Sequence, residues 1–174
     1  MSVPRVFGLT MAVNTASRRV TKACVDSPDA GPAQNVSVDL DAFTVILARR
    51  LAAVVPAGFY VTAADGMLRC TCDEGRFPGQ QGNYHCGEAG IFVRDNFGLH
   101  GETEADNIVG AATEALDALQ DYVSEATHDP WPGTRSQPNA YARISGGTLH
   151  LGYGDPGDAV FGCAPIRLAE IRTL

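Results

Sequence analysis

Apolar residues recur along this chain with two different periods, and the alternation between those periods predicts its elements. Over 40–55, Leu40, Phe43, Leu47, Leu51 and Val54 fall on one face of a helix, with Asp39 placed to cap its start and Pro56 to end it. Arg49 and Arg50 stand near its C-terminus, where the helix dipole favours cations. Two strands are predicted over 59–63 and 67–72, and the Asp65-Gly66 pair between them is a strong hairpin signal. The segment 73–90 carries Gly75, Gly79, Gly82, Gly87, Gly90 and Pro78 and reads as a long loop, of the kind that is often functional. A further strand is expected over 91–97, weakened by Arg94, Asp95 and Asn96.

The clearest helix is predicted over 102–127. Ile108, Val109, Ala112, Leu116, Leu119 and Val123 make its apolar stripe, with Glu114, Asp117, Asp121 and Glu125 on the opposite face. Three strands should follow, over 141–144, 148–153 and 159–167, with turns at Gly146-Gly147 and in 154–158. Helices alternating with runs of antiparallel strands define an α+β domain in the order α-β-β-(β)-α-β-β-β, expected to form one antiparallel sheet of five to six strands. A weak internal repeat accompanies that order. Each half reads helix, proline, aromatic residue, strand and glycine turn, followed by Gly66-Met67-Leu68-Arg69 in the first and Gly147-Thr148-Leu149-His150 in the second. Residues 1–37 lack a sustained period and read as a tail preceding a single domain over 38–174.

Length and charge narrow the function classes. A chain of 174 residues can bury a proper core without metal or disulfides. The tail carries +2 and the remainder −9, and Lys22 is the only lysine. A domain this acidic repels phosphate backbones, so no nucleic-acid partner is expected. No stretch reaches the roughly 18–20 apolar residues of a membrane span. The run 6–13 after Arg5 is interrupted by Gly8 and Thr10 and makes a poor secretory signal. A cytoplasmic location is therefore expected. Five cysteines, an odd number, then read as reduced thiols rather than a disulfide framework.

The stretch 50–167, about two-thirds of the chain, carries Pro56-Ala57-Gly58-Phe59, Gly66-Met67-Leu68, Gly75-Arg76-Phe77-Pro78-Gly79, Leu119-Gln120-Asp121-Tyr122, Asp129-Pro130-Trp131-Pro132-Gly133 and Leu151-Gly152-Tyr153-Gly154-Asp155. In these it resembles a group of small actinobacterial proteins to which no activity is attached, so the resemblance implies no catalytic residue. The element order is also similar to chaperone-like and immunity-protein folds, an analogy of topology only.

Several candidate chemistries compete. Cys70 and Cys72 on one strand point the same way, and Cys86 with His85 could complete a tetrahedral zinc set. Structural zinc sites draw on Cys-x2-4-Cys pairs, and the spacing here is different. Cys70 and Cys72 are accordingly read as small core residues, with no metal and no cofactor expected. Asp121, Glu125 and His128 have the spacing of carboxylate-bridged metal helices but lack a second copy, so His128 reads as a charge at the helix C-terminus. The glycine-rich loop has no phosphate-binding fingerprint, although Arg76, His85 and Arg94 could hold an anion or substrate. Cys86 with His85 or His100 and Asp95 would make a nucleophile set without a family signature. A small hydrolase using the loop over 73–98 is the alternative function.

The preferred reading is an acidic protein-binding module. From Glu102 to Asp129 there are eight acidic side chains and no Lys or Arg. Like charges three and four residues apart cost roughly 0.2–0.5 kcal/mol per pair, a cost that a basic protein partner would relieve. Glu114, Asp117, Asp121 and Glu125 are the expected contact residues. Trp131, fixed between two prolines, either covers the core or serves as an aromatic anchor.

Overall fold

Asp39 begins the first helix as its side chain dictates. In the computed structural model, which describes residues 37–73, 88–133 and 135–173, its carboxylate accepts the Asp41 and Ala42 N–H groups at 3.1 and 2.9 Å. Helix α1 spans Leu40–Ala52 and buries Phe43, Leu47 and Leu51. It ends before the expected Val55, because the Val54 and Val55 N–H groups turn back onto the Leu51 carbonyl ahead of Pro56. Just before α1, β1 (Ser37–Val38) pairs with the last strand, β9 (Arg172–Thr173).

The first hairpin joins β2 (Phe59–Ala64) to β3 (Met67–Cys72). Its two turn residues, Asp65 and Gly66, have φ of 55° and 75°. Positive φ at both central positions matches the right-handed twist of the flanking strands. Phe59, Val61, Leu68 and Cys70 face the core, while Tyr60, Thr62 and Arg69 face out. A short β4 (Ala89–Ile91) pairs with β3 and closes a three-stranded antiparallel sheet in the order β2-β3-β4.

The strand expected over 91–97 stops at Ile91 and becomes a helical turn, α2 (Val93–Asn96). Three successive polar residues, Arg94, Asp95 and Asn96, cannot alternate between core and solvent. A helical turn instead places Val93 and Phe97, four apart, on one side, with the Phe97 N–H donating to the Val93 carbonyl at 3.1 Å.

Helix α3 (Glu104–Thr127) is capped by the Thr103 hydroxyl, which accepts the Asp106 N–H at 3.1 Å. Ile108, Ala112, Leu116, Leu119 and Val123 form its fully buried stripe, as expected, with Ala111 and Ala115 beside it, whereas Val109, also expected in the stripe, is only half-buried. His128 ends the helix in the left-handed conformation, with φ of 57°.

The second sheet contains β5 (Ala140–Ser145), β6 (Thr148–Asp155), β7 (Asp158–Gly162) and β8 (Ile166–Arg167). The last strand expected, over 159–167, does run along one edge of β6 but is broken into β7 and β8. Pro165 lies in that break and has no N–H to give to a ladder.

The molecule is therefore α+β with two main helices, and its strands are divided into antiparallel sheets of three and four, beside the β1–β9 pair, rather than one of five or six. Helix α3 lies between β4 and β5 in the chain and packs against both sheets. Phe43, Leu47, Leu68, Leu116, Leu119, Leu149, Leu151 and Tyr153 meet in one continuous core between these layers. The repeat is visible as two equivalent turns. Gly146 and Gly147 match Asp65 and Gly66 in positive φ, and Leu68 and Leu149 are both wholly buried, but the two units sit in separate sheets. No helix among the described residues is long and apolar enough to cross a membrane.

Candidate functional site: an acidic groove

The exposed face of α3 is set by its own periodicity: burying the alanine and leucine stripe turns Glu114, Asp117 and Asp121 outward. These three carboxylates, with Ala118, form one wall of a groove of about 350 Å³. Gly90, Ile91 and Phe92 of β4 and its exit, together with Asn96 of α2, form the other wall. Glu125, the fourth acidic residue singled out from the sequence, is exposed on the same helix but does not line the groove.

Each carboxylate has a different environment. Glu114 accepts a hydrogen bond from the Asn96 side-chain amide at 2.9 Å. His100 Nε2 lies 3.4 Å from the same carboxylate, too poorly aligned for a hydrogen bond. Asp117 lies near the Ala140 N–H at the start of β5, which favours its charged form. No Lys or Arg pairs with Asp117, Asp121 or Glu125 among the described residues. Among the described residues an arginine reaches α3 at its beginning, where Arg172 of β9 meets Glu104 at 2.9 Å.

Desolvation, reinforced by the neighbouring charge of Asp121, raises the Asp117 carboxyl above its usual range against the opposing pull of the Ala140 N–H. A carboxyl raised on folding binds its proton more tightly in the native state, so stability falls as pH rises from the ordinary Asp range through the folded value. Asp117→Asn is therefore expected to raise the melting temperature at neutral pH, by a margin that vanishes below the ordinary Asp range. A melting curve identical to the wild type at neutral pH would contradict this assignment.

The remaining candidates are dispersed. Arg94 extends from α2 across Gly66 to ion-pair with Asp41, next to a cavity of about 210 Å³ lined by Thr44, Ala63, Asp65 and Arg94. Its charge is thus already matched inside the protein. Arg76, His85 and Cys86 lie outside the described residues, as does the 1–36 portion of the expected tail. Trp131 is half-buried and packs edge-on against Tyr153 and Phe161, with centroids 5.2 and 6.2 Å away. It does not line the groove.

The cysteines depart from the expectation of uniformly reduced thiols. Cys70 is a free, fully buried core residue, as its strand position implied, but Cys72 is half-buried and disulfide-bonded. A strand places residues two apart on one face, which sequence spacing shows; whether a second cysteine approaches is decided by the chain beyond the strand. Burial pushes the Cys70 and Cys163 thiols up to about 11, the reverse of what an activated nucleophile requires.

The acidic wall was legible in the helical period, whereas the β4 wall was not. Gly90 read as the end of the long loop and Ile91 and Phe92 as the start of a weak strand, and nothing local placed them beside Asp117. No protein-family model, curated protein or solved structure matches this chain.

Proposed function

We propose that this domain binds a basic protein partner through the groove between α3 and β4. The observation that carries the reading is the set of three carboxylates, Glu114, Asp117 and Asp121, held on one wall without a Lys or Arg counter-charge among the described residues. Exposed like charges at helical spacing cost stability, and a cationic partner converts that cost into attraction. The structure offers a rigid helix for the purpose, which keeps the entropy of binding small. The Cys72 disulfide favours an oxidising compartment over a reducing cytoplasm.

The test compares the full chain with its Asp117→Asn, Asp121→Asn double variant, each immobilised in an extract of the source cells. Basic proteins should be retained by the wild type at low salt and released at moderate salt, because attraction between exposed charges is screened within about 8–10 Å at physiological ionic strength. For a purified retained protein, the double variant should associate at least roughly tenfold more slowly at low salt. Identical sets of proteins on both columns would refute the reading.

A further inference from the structure

Among the described residues, strand β4 is an edge that pairs only with β3, so alternate N–H and C=O groups along its other side are turned away from the sheet. Gly90 and Ile91 point their Cα substituent positions to opposite faces, yet both line the groove, which therefore opens along the strand's edge rather than over one face. Phe92, 53% exposed, forms an apolar lip where the strand ends. Open strand edges are usually blunted by a lysine, a proline or a covering element. Ala89, Gly90 and Ile91 supply neither of those residues.

The carboxylates repeat at a spacing that suits a strand. Asp117 and Asp121 are four residues apart on a helix, about 6 Å along its axis. Alternate side chains of an extended peptide are separated by about 6.6 Å. Glu114 lies about 4.5 Å before Asp117 along the axis, at the α2 end, where Asn96 is bonded to it. A strand added along β4 would lie in the groove that Glu114, Asp117 and Asp121 wall, within reach of their carboxylates for side chains of one phase.

Resting on the proposed basic-partner function, we infer that the partner is engaged as an extended segment with Lys or Arg at alternate positions, added as a strand to the free edge of β4 while its cations meet Asp117, Asp121 and Glu114. Main-chain hydrogen bonds to β4 supply sequence-independent affinity, and the helix wall selects for alternating positive charge. The acidic wall also rejects segments that carry Asp or Glu in the inward phase, since like charges placed together there are costly. A helical or globular basic surface would match the charge but leave the β4 edge unsatisfied.

The probes are synthetic octapeptides of alternating Lys and Thr, titrated into the full chain. One is unmodified, one is N-methylated at every Lys, one is N-methylated at every Thr, and a fourth carries the same number of lysines in an alanine-rich helical sequence. In a strand, the N–H groups of one alternate set face one edge and those of the other set face the opposite edge. Methylation of only one of the two sets should therefore weaken binding tenfold or more, the other set being tolerated. Amide shifts should concentrate at 89–92 and along 114–121, and the Asp117→Asn, Asp121→Asn variant should bind all peptides weakly. Equal effects of the two methylation patterns, or equal binding of the helical peptide, would overturn strand addition. If the Asp-to-Asn variant still lost affinity in those cases, the acidic-groove function would stand without it. Peptide binding indifferent to the Asn changes would remove both.

Discussion

Replacing Tyr153 by alanine should cost about 3–5 kcal/mol, the range for emptying a large aromatic side chain from a packed core. Tyr153 is wholly buried on β6, and its hydroxyl donates to the Leu116 carbonyl of α3 at 2.9 Å. That bond ties the second sheet to the long helix, and Trp131 closes over the ring at 5.2 Å. Burial pushes the phenol far above its ordinary range, so the group acts as a neutral donor at every working pH. Against a total stability of about 5–15 kcal/mol for a domain, the loss leaves a marginal fold. Tyr153→Phe separates the two contributions. It keeps the packing and removes one neutral hydrogen bond, for a cost of about 0.5–1.5 kcal/mol. Urea denaturation followed through Trp131, the single tryptophan, measures both. Equal costs for the two variants would show that the hydroxyl, not the ring, holds β6 to α3.

The second large effect has a sign opposite to what helix propensity suggests. Gly110 lies inside α3, where Gly→Ala ordinarily stabilises by about 1 kcal/mol. Here His100 packs directly on the glycine: an added Cβ would stand 2.1 Å from His100 Cγ and 2.2 Å from its Cβ. Those atoms are close to the backbone and cannot swing away. The segment that carries them is itself held, since the His100 N–H donates to the Asn107 side chain at 3.2 Å and the Asn107 amide donates to the Gly101 and Thr103 carbonyls. Gly110→Ala must displace that segment, and overpacking of this kind costs about 1–3 kcal/mol. We expect the propensity gain to be cancelled or outweighed, for a net loss of up to about 2 kcal/mol. In a His100→Gly background the same change should become neutral or stabilising, a coupling that a double-mutant cycle reads directly. An additive cycle would mean that the close approach has no energetic consequence.

Both cases show where sequence reasoning stops. Gly110 carries no local signal of its role, because the residue that makes glycine necessary, His100, lies ten positions earlier, in a segment with no regular pattern. Tyr153 belonged to an alternating strand, yet its hydroxyl partner is a carbonyl on an element 37 residues away. The acidic face of α3 was visible from its period. Its isolation was not, because a counter-ion can come from anywhere in the chain, as Arg172 does for Glu104.

By itself the sequence determined the features that depend on backbone preference and short-range period. Asp39 caps α1 because its carboxylate reaches N–H groups two and three residues ahead. Asp65-Gly66 and Gly146-Gly147 turn because those pairs accept positive φ. The stripe of α3 is buried because its residues recur every three or four positions. Tertiary structure alone decided that the strands divide into two main sheets and the β1–β9 pair, that 93–96 coils instead of extending, that Cys72 is oxidised, and that β4 and the Asp117 and Asp121 carboxylates line one groove. Each of those outcomes depends on which distant surface is free to receive an edge, a side chain or a charge. Local preference sets the shape of an element, whereas its partner is chosen by packing the whole chain around one core.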